Sequence, residues 1–173
     1  EVVDAAATKP YGFMPFWPGS GIGGHCIPVD PVYLTEWAKS NGFGLTLIDA
    51  ASKFNMQLGE LIIQRIENHG FKIYQGTRVL ILGVSYKPGI SDCRETPANS
   101  IRDAVTNRGG EIEWFDPLVN EWNGETRSSL TSHFDFAIVS TNQNGLPINR
   151  LLEKNITIFD ATFSQINPKI LQI

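Results

Sequence analysis

The sequence predicts an α/β fold in which a long linking helix leads into a doubly wound parallel sheet, and three observations carry that expectation. Arg78-Val79-Leu80-Ile81-Leu82-Gly83-Val84 is a continuous apolar run, the pattern of a strand covered on both faces. Strand-like and helix-like stretches then alternate as far as Asp160, as successive βαβ units require. Ahead of them, Ala51, Phe54, Leu58, Leu61, Ile62 and Ile66 recur at helical period between Asp49 and His69.

Taken in order, Glu1 to Ala7 reads as the interior of an element without an initiator Met, so the chain is expected to be a piece of a longer one. Between residues 8 and 31 glycine and proline cluster, which argues against helix and ordinary strand. The interleaved Phe13, Met14, Phe16, Trp17, Ile22 and Ile27 argue that this loop is ordered. Asp30-Pro31 supplies an N-cap and a first-turn proline for a short helix, Val32 to Ser40, that Gly42 can close. The 49–69 helix, stopped by Gly70, would run about 30 Å with one buried face, a length suited to a strut or a dimer-forming element. After the first strand, Pro88, Gly89 and Ser91 make a loop, and Thr96-Pro97 opens a helix to about Asn107. Gly109-Gly110 ends it, and Glu111 to Phe115 is the next strand, followed by Asp116-Pro117. Strands at 136–140 and 156–160 flank a helix at 146–154. The expected division is 1–48, a cysteine-bearing loop with its short helix; 49–70, the linking helix; and 71–173, the sheet domain.

The 173 residues are enough for a substantial core. A net charge of −4, from 14 basic and 18 acidic residues mixed along the chain, offers no basic stripe, so nucleic acid is not an expected partner. No apolar run approaches the roughly 18 residues of a membrane span, and the first ten residues are not a signal peptide. Cys26 and Cys93 lie far apart in different contexts and read as reduced thiols of a cytoplasmic protein. His25, His69 and His133 show no ligand spacing with them, so no metal site is expected.

Gly19, Gly21 and Gly24 spell G-x-G-x-x-G, but Pro15-Phe16-Trp17-Pro18 precedes them where a dinucleotide fingerprint needs a strand. The glycines read instead as a place where backbone N–H groups approach a ligand closely. A lone cysteine is usually a small buried hydrophobe. Cys26, following a run of glycines with little bulk to bury it, reads as a nucleophile.

The segment Gly21-Ile22-Gly23-Gly24-His25-Cys26-Ile27-Pro28-Val29-Asp30-Pro31 resembles the catalytic-cysteine loop of the UDP-glucose/GDP-mannose dehydrogenase family, in particular its UDP-N-acetylhexosamine branch. Asn55-Met56 and the stretch Gly83 to Pro97 agree in order, while the likeness weakens after about residue 118. The resemblance implies a nicotinamide-dependent 6-dehydrogenase with NAD as cofactor, in which Cys26 carries the sugar carbon between two oxidations. It implies further that Asp30 is a general base, that Ile22, Gly23, Tyr86 and Lys87 contact a UDP-sugar substrate, and that Arg94 reaches the cofactor. Asp30 is also a natural helix N-cap. His25 is expected to be a packing residue or minor substrate contact, Cys93 structural, and Asp116 a turn former. The resemblance also implies that NAD is held mainly by a domain absent here, that the chain alone is inactive, and that the 49–69 helix forms a homodimer. UDP-glucose or GDP-mannose as substrate, a stand-alone nucleotide-sugar-binding or dimerisation module, and an acyl-transfer thiol enzyme are the competing readings.

Overall fold

Val79 and Ile81 belong to one apolar cluster and Leu80 and Leu82 to another, all four fully buried, so the first strand is covered on both faces. This is the arrangement in a computed structural model that describes residues 1–164 and 167–173. Its helices are α1 (Val2–Ala7), α2 (Cys26–Ser40), α3 (Thr46–Asn68), α4 (Ala98–Thr106) and α5 (Ile148–Glu153). Its strands are β1 (Arg78–Leu82), β2 (Glu111–Phe115), β3 (Glu121–Trp122), β4 (Glu125–Thr126), β5 (Phe136–Val139), β6 (Thr157–Asp160) and β7 (Leu171–Gln172). The main sheet has the order β2-β1-β5-β6-β7 with every pairing parallel, and β3 and β4 form a separate antiparallel hairpin. Among the described residues no helix is long and apolar enough to cross a membrane.

One face of the sheet is covered by α3 and α4, through Ile62, Ile63, Ile66, Ile101 and Val105. The other is covered by α5, through Ile148 and Leu151, and by the segment between β4 and β5, through Leu130 and Phe134. Each such side chain contributes roughly 1.5–3 kcal/mol by leaving water. Because the order reverses at β1, which pairs with β2 on one side and β5 on the other, the crevice between the carboxyl ends of β1 and β5 is the switch point where open parallel sheets bind ligands.

Two expectations about the helices need correction. The short helix begins at Cys26, not Val32, so Asp30-Pro31 lies inside it. Pro28 stands in the first turn, where N–H groups have no partner in any case, and Pro31 gives up a single bond to the carbonyl of Ile27. The buried stripe of α3 covers only its second half: Gly59, Ile62, Ile63 and Ile66 are buried, whereas Phe54 and Met56 are exposed. The first half therefore projects past the sheet toward α2.

The α3–α4 contact depends on a missing side chain. A Cβ built at Gly59 would lie 2.3 Å from the backbone carbonyl of Ser100, so the two helices approach backbone to backbone. Beside this contact Arg108 donates to Glu60 (2.8 Å) and Glu67 (3.1 Å), and the guanidinium holds the Glu60 carboxyl below its ordinary range. Replacing a helical glycine by alanine normally gains about 0.5–1 kcal/mol. At this position Gly59→Ala is expected to lose about 1–3 kcal/mol through overpacking against α4, read as a lower urea midpoint with an unchanged slope.

Candidate active site

The loop after β1 leaves the sheet at the switch point and is tied down at both feet. Ser85 is fully buried, its N–H and that of Val84 donating to the Asp116 carboxylate (3.3 and 3.0 Å) at the end of β2. Asp116 also accepts from the N–H of Leu118 (2.9 Å), which makes it the turn former expected and, in addition, the anchor of this loop. At the far end, Tyr86 N–H donates to the carbonyl of Asp92 (2.9 Å). Between these ties Lys87 is exposed, its ammonium 5.5 Å from the centre of the half-buried Tyr86 ring.

The glycine-rich segment lies across this loop. Ser20 is buried and its hydroxyl donates to the carbonyl of Ser140 just beyond β5 (2.7 Å), fixing the segment to the sheet edge. Ile22 N–H donates to Oδ1 of Asn55 on α3 (2.8 Å), and Gly24 N–H donates to the carbonyl of Arg94 (3.0 Å). A Cβ at Gly23 would lie 2.6 Å from Cβ of Tyr86 and 2.7 Å from the carbonyl oxygen of Glu95, and one at Gly24 would lie 2.9 Å from the Tyr86 ring. Any side chain at either position would push the two loops apart.

Two residues past this contact, Cys26 is exposed and is the first residue of α2, with His25 as N-cap. Asp30, one helical turn on, shares that face of α2, and it too is exposed. Arg94 is exposed and forked onto Asp92 (Nε to Oδ2 3.0 Å, Nη2 to Oδ2 2.6 Å). Asp92 is thereby held below the usual carboxylate range. Arg94 is raised above its own range, first by those hydrogen bonds and then by the charge of Asp92. Cys93 is half-buried, and burial, with Asp116 and Asp92 nearby, pushes its thiol up to about 11.

Cys26, Asp30, Ile22, Gly23, Tyr86, Lys87 and Arg94 thus fall on two interlocked loops and the helix end they lead into. Sequence reasoning passed over Ser20, which no motif marks, the fork of Asp92 onto Arg94, and Gln143, whose partners are more than fifty residues away. Neither glycine-rich stretch forms a dinucleotide cradle. No strand precedes Gly19, the Gly24 N–H is occupied by Arg94, and the N–H groups after β1 are occupied by Asp116.

Residues 1–57 match the central domain of the UDP-glucose/GDP-mannose dehydrogenase family, and residues 80–161 match its UDP binding domain. UDP-N-acetyl-D-glucosamine 6-dehydrogenase of Pseudomonas aeruginosa is 36% identical over 122 residues, covering 69% of this chain and 28% of that one. The enzyme of the same name from Salmonella typhi is 31% identical over 151 residues, 81% of this chain and 35% of that one. The chain therefore spans about a third of the length of these relatives. The crystal structure of NDP-N-acetyl-D-galactosaminuronic acid dehydrogenase from Methanosarcina mazei Go1 superposes with a TM-score of 0.79 at 22% identity, over 96% of this chain and 40% of that one.

The two thiols are expected to separate in reactivity. At pH 8 only about one Cys93 in a thousand is thiolate, so iodoacetamide is expected to label the exposed Cys26 first, as peptide mapping of a short time course would show. Labelling of Cys93 ahead of Cys26 would contradict the placement of both.

Proposed function

Because the chain belongs to the UDP-glucose/GDP-mannose dehydrogenase family, we propose that it is the cysteine-bearing and substrate-binding part of a UDP-N-acetylhexosamine 6-dehydrogenase, which converts the sugar's C6 alcohol to a carboxylate. The observation that carries the reading is an exposed thiol at the head of α2, locked by Gly23 and Gly24 to the loop that presents Tyr86 and Lys87 at the switch point. The choice of an N-acetylated sugar rests on the cysteine-loop wording and on the names of the relatives above.

In this reading Lys87 supplies a point charge to the diphosphate and Tyr86 an apolar edge, while the backbone at Ile22 and Gly23 borders the sugar. Once C6 is at the aldehyde level, the Cys26 sulfur, its proton given up to solvent, adds to it, forming a C–S bond as the C=O π bond breaks and leaving charge on oxygen at the N-terminal end of α2, where helix N–H groups favour it. Loss of the remaining C6 hydride turns this adduct into a thioester. Asp30 takes the proton of the water that attacks the thioester, the C–S bond breaks, and the carboxylate leaves with the sulfur regenerated. NAD would supply the acceptor for the two hydrides; the described residues offer it no cradle, and Arg94 is the side chain that would reach it.

The test is an NADH assay of the enzyme carrying this sequence together with a nicotinamide-binding domain, against UDP-N-acetylglucosamine, UDP-N-acetylmannosamine, UDP-glucose and GDP-mannose. Turnover is expected with an N-acetylated substrate and is expected to fall about a thousandfold or more in Cys26→Ser. Undiminished carboxylate formation in that variant would overturn the cysteine's role. The 173-residue chain by itself is expected to make no NADH. We further propose that α3 forms a homodimer, supported by the exposure of Leu47 (83%), Phe54 (56%) and Met56 (70%) on its first half. Sedimentation is expected to give a dimer that Phe54→Glu converts to monomer; a monomer at high concentration of the unaltered chain would refute this.

A further inference from the structure

The loop that presents Tyr86 and Lys87 is clasped by one side chain from the opposite wall of the crevice. Gln143, just beyond β5, is buried with 3% of its surface exposed. Its Oε1 accepts from Gly89 N–H (2.7 Å), and its Nε2 donates to the Ile90 carbonyl (3.0 Å) and to the Ser85 hydroxyl (2.5 Å). A backbone donor on one side and a backbone acceptor on the other fix which end of the amide is oxygen. Thr141 adds a fourth tie, its hydroxyl donating to the Ser85 carbonyl (2.7 Å). Within the span the Ser85 hydroxyl donates to the Lys87 carbonyl (3.2 Å) and Tyr86 N–H donates to the Asp92 carbonyl (2.9 Å), so the side chains proposed to meet the nucleotide stand on a span whose backbone is held at both ends.

We infer that Gln143 is a positioning residue for nucleotide-sugar binding, acting through the 85–90 loop and touching neither substrate nor Cys26. The inference rests on the function proposed above. Its logic is preorganisation: a loop already held in its bound shape loses less conformational freedom when the ligand arrives. The chemistry of the clasp is specific to glutamine. Asparagine is shorter by about 1.5 Å and cannot span the gap, and glutamate keeps the bond from Gly89 but sets an oxygen against the Ile90 carbonyl.

The experiment is titration of UDP into the wild-type chain, Gln143→Leu, Gln143→Glu, Lys87→Met and the double variants. Dissociation constants are expected to rise about tenfold or more in each Gln143 variant. In the Lys87→Met background the same substitutions are expected to cost much less, because the residue being positioned is gone. A merely structural role would shift both backgrounds equally, and that additive result, or unchanged binding in the single variants, would overturn the inference. If the leucine variant does not fold, the glutamate variant decides; loss of fold in both would mean the amide serves the sheet edge, against the inference. Failure of the wild-type chain to bind UDP would instead strike the proposed function itself and remove the ground for this one.

Discussion

The site depends on one contact without side chains. At Gly23 and Gly24 the backbone of the cysteine segment lies directly on Tyr86, Glu95 and Pro97, at separations where even a methyl group would overlap its neighbours. The Gly24 N–H bond to Arg94 holds the segment there. The position of Cys26 is thus set by the loop after β1, and anything that moves that loop moves the thiol with it. Glu95, whose oxygen would meet a Gly23 side chain, has a left-handed backbone at φ 46°, a conformation that its neighbours must hold in place.

That contact gains its rigidity from the sheet. Ser20 reaches the end of β5, Asp116 collects the loose N–H groups after β1, and Asn55 joins the segment to α3. α3 in turn meets α4 through Gly59, and α4 lies on the same sheet face. Helix, cysteine segment and crevice are therefore one mechanical unit, in which buried hydrogen bonds determine shape because leaving any of them unmade costs more than making it returns.

Much of this could be read before any coordinates. The unbroken apolar run of β1 and the Thr96-Pro97 start of α4 are strong local signals, and the glycines before Cys26 announced an exposed thiol. The start of α2 is not legible locally, because a proline after Asp usually opens a helix, whereas here the first turn tolerates Pro28 and the second absorbs Pro31. The β3–β4 hairpin carried a turn signal in Asn123-Gly124, with φ of 53° and 76°, but strands of two residues are too short to show a period. β7 is hidden for the same reason. Gln143 and Ser20 were illegible because their roles arise from partners far along the chain.

The central claim is that the interlocked loops present the Cys26 sulfur to the nucleotide-sugar. It is tested most directly by timing alkylation of that sulfur with and without saturating UDP-N-acetylglucosamine. Bound ligand is expected to shield the thiol and slow its labelling severalfold, and a rate unchanged by a ligand shown to be bound would contradict that presentation.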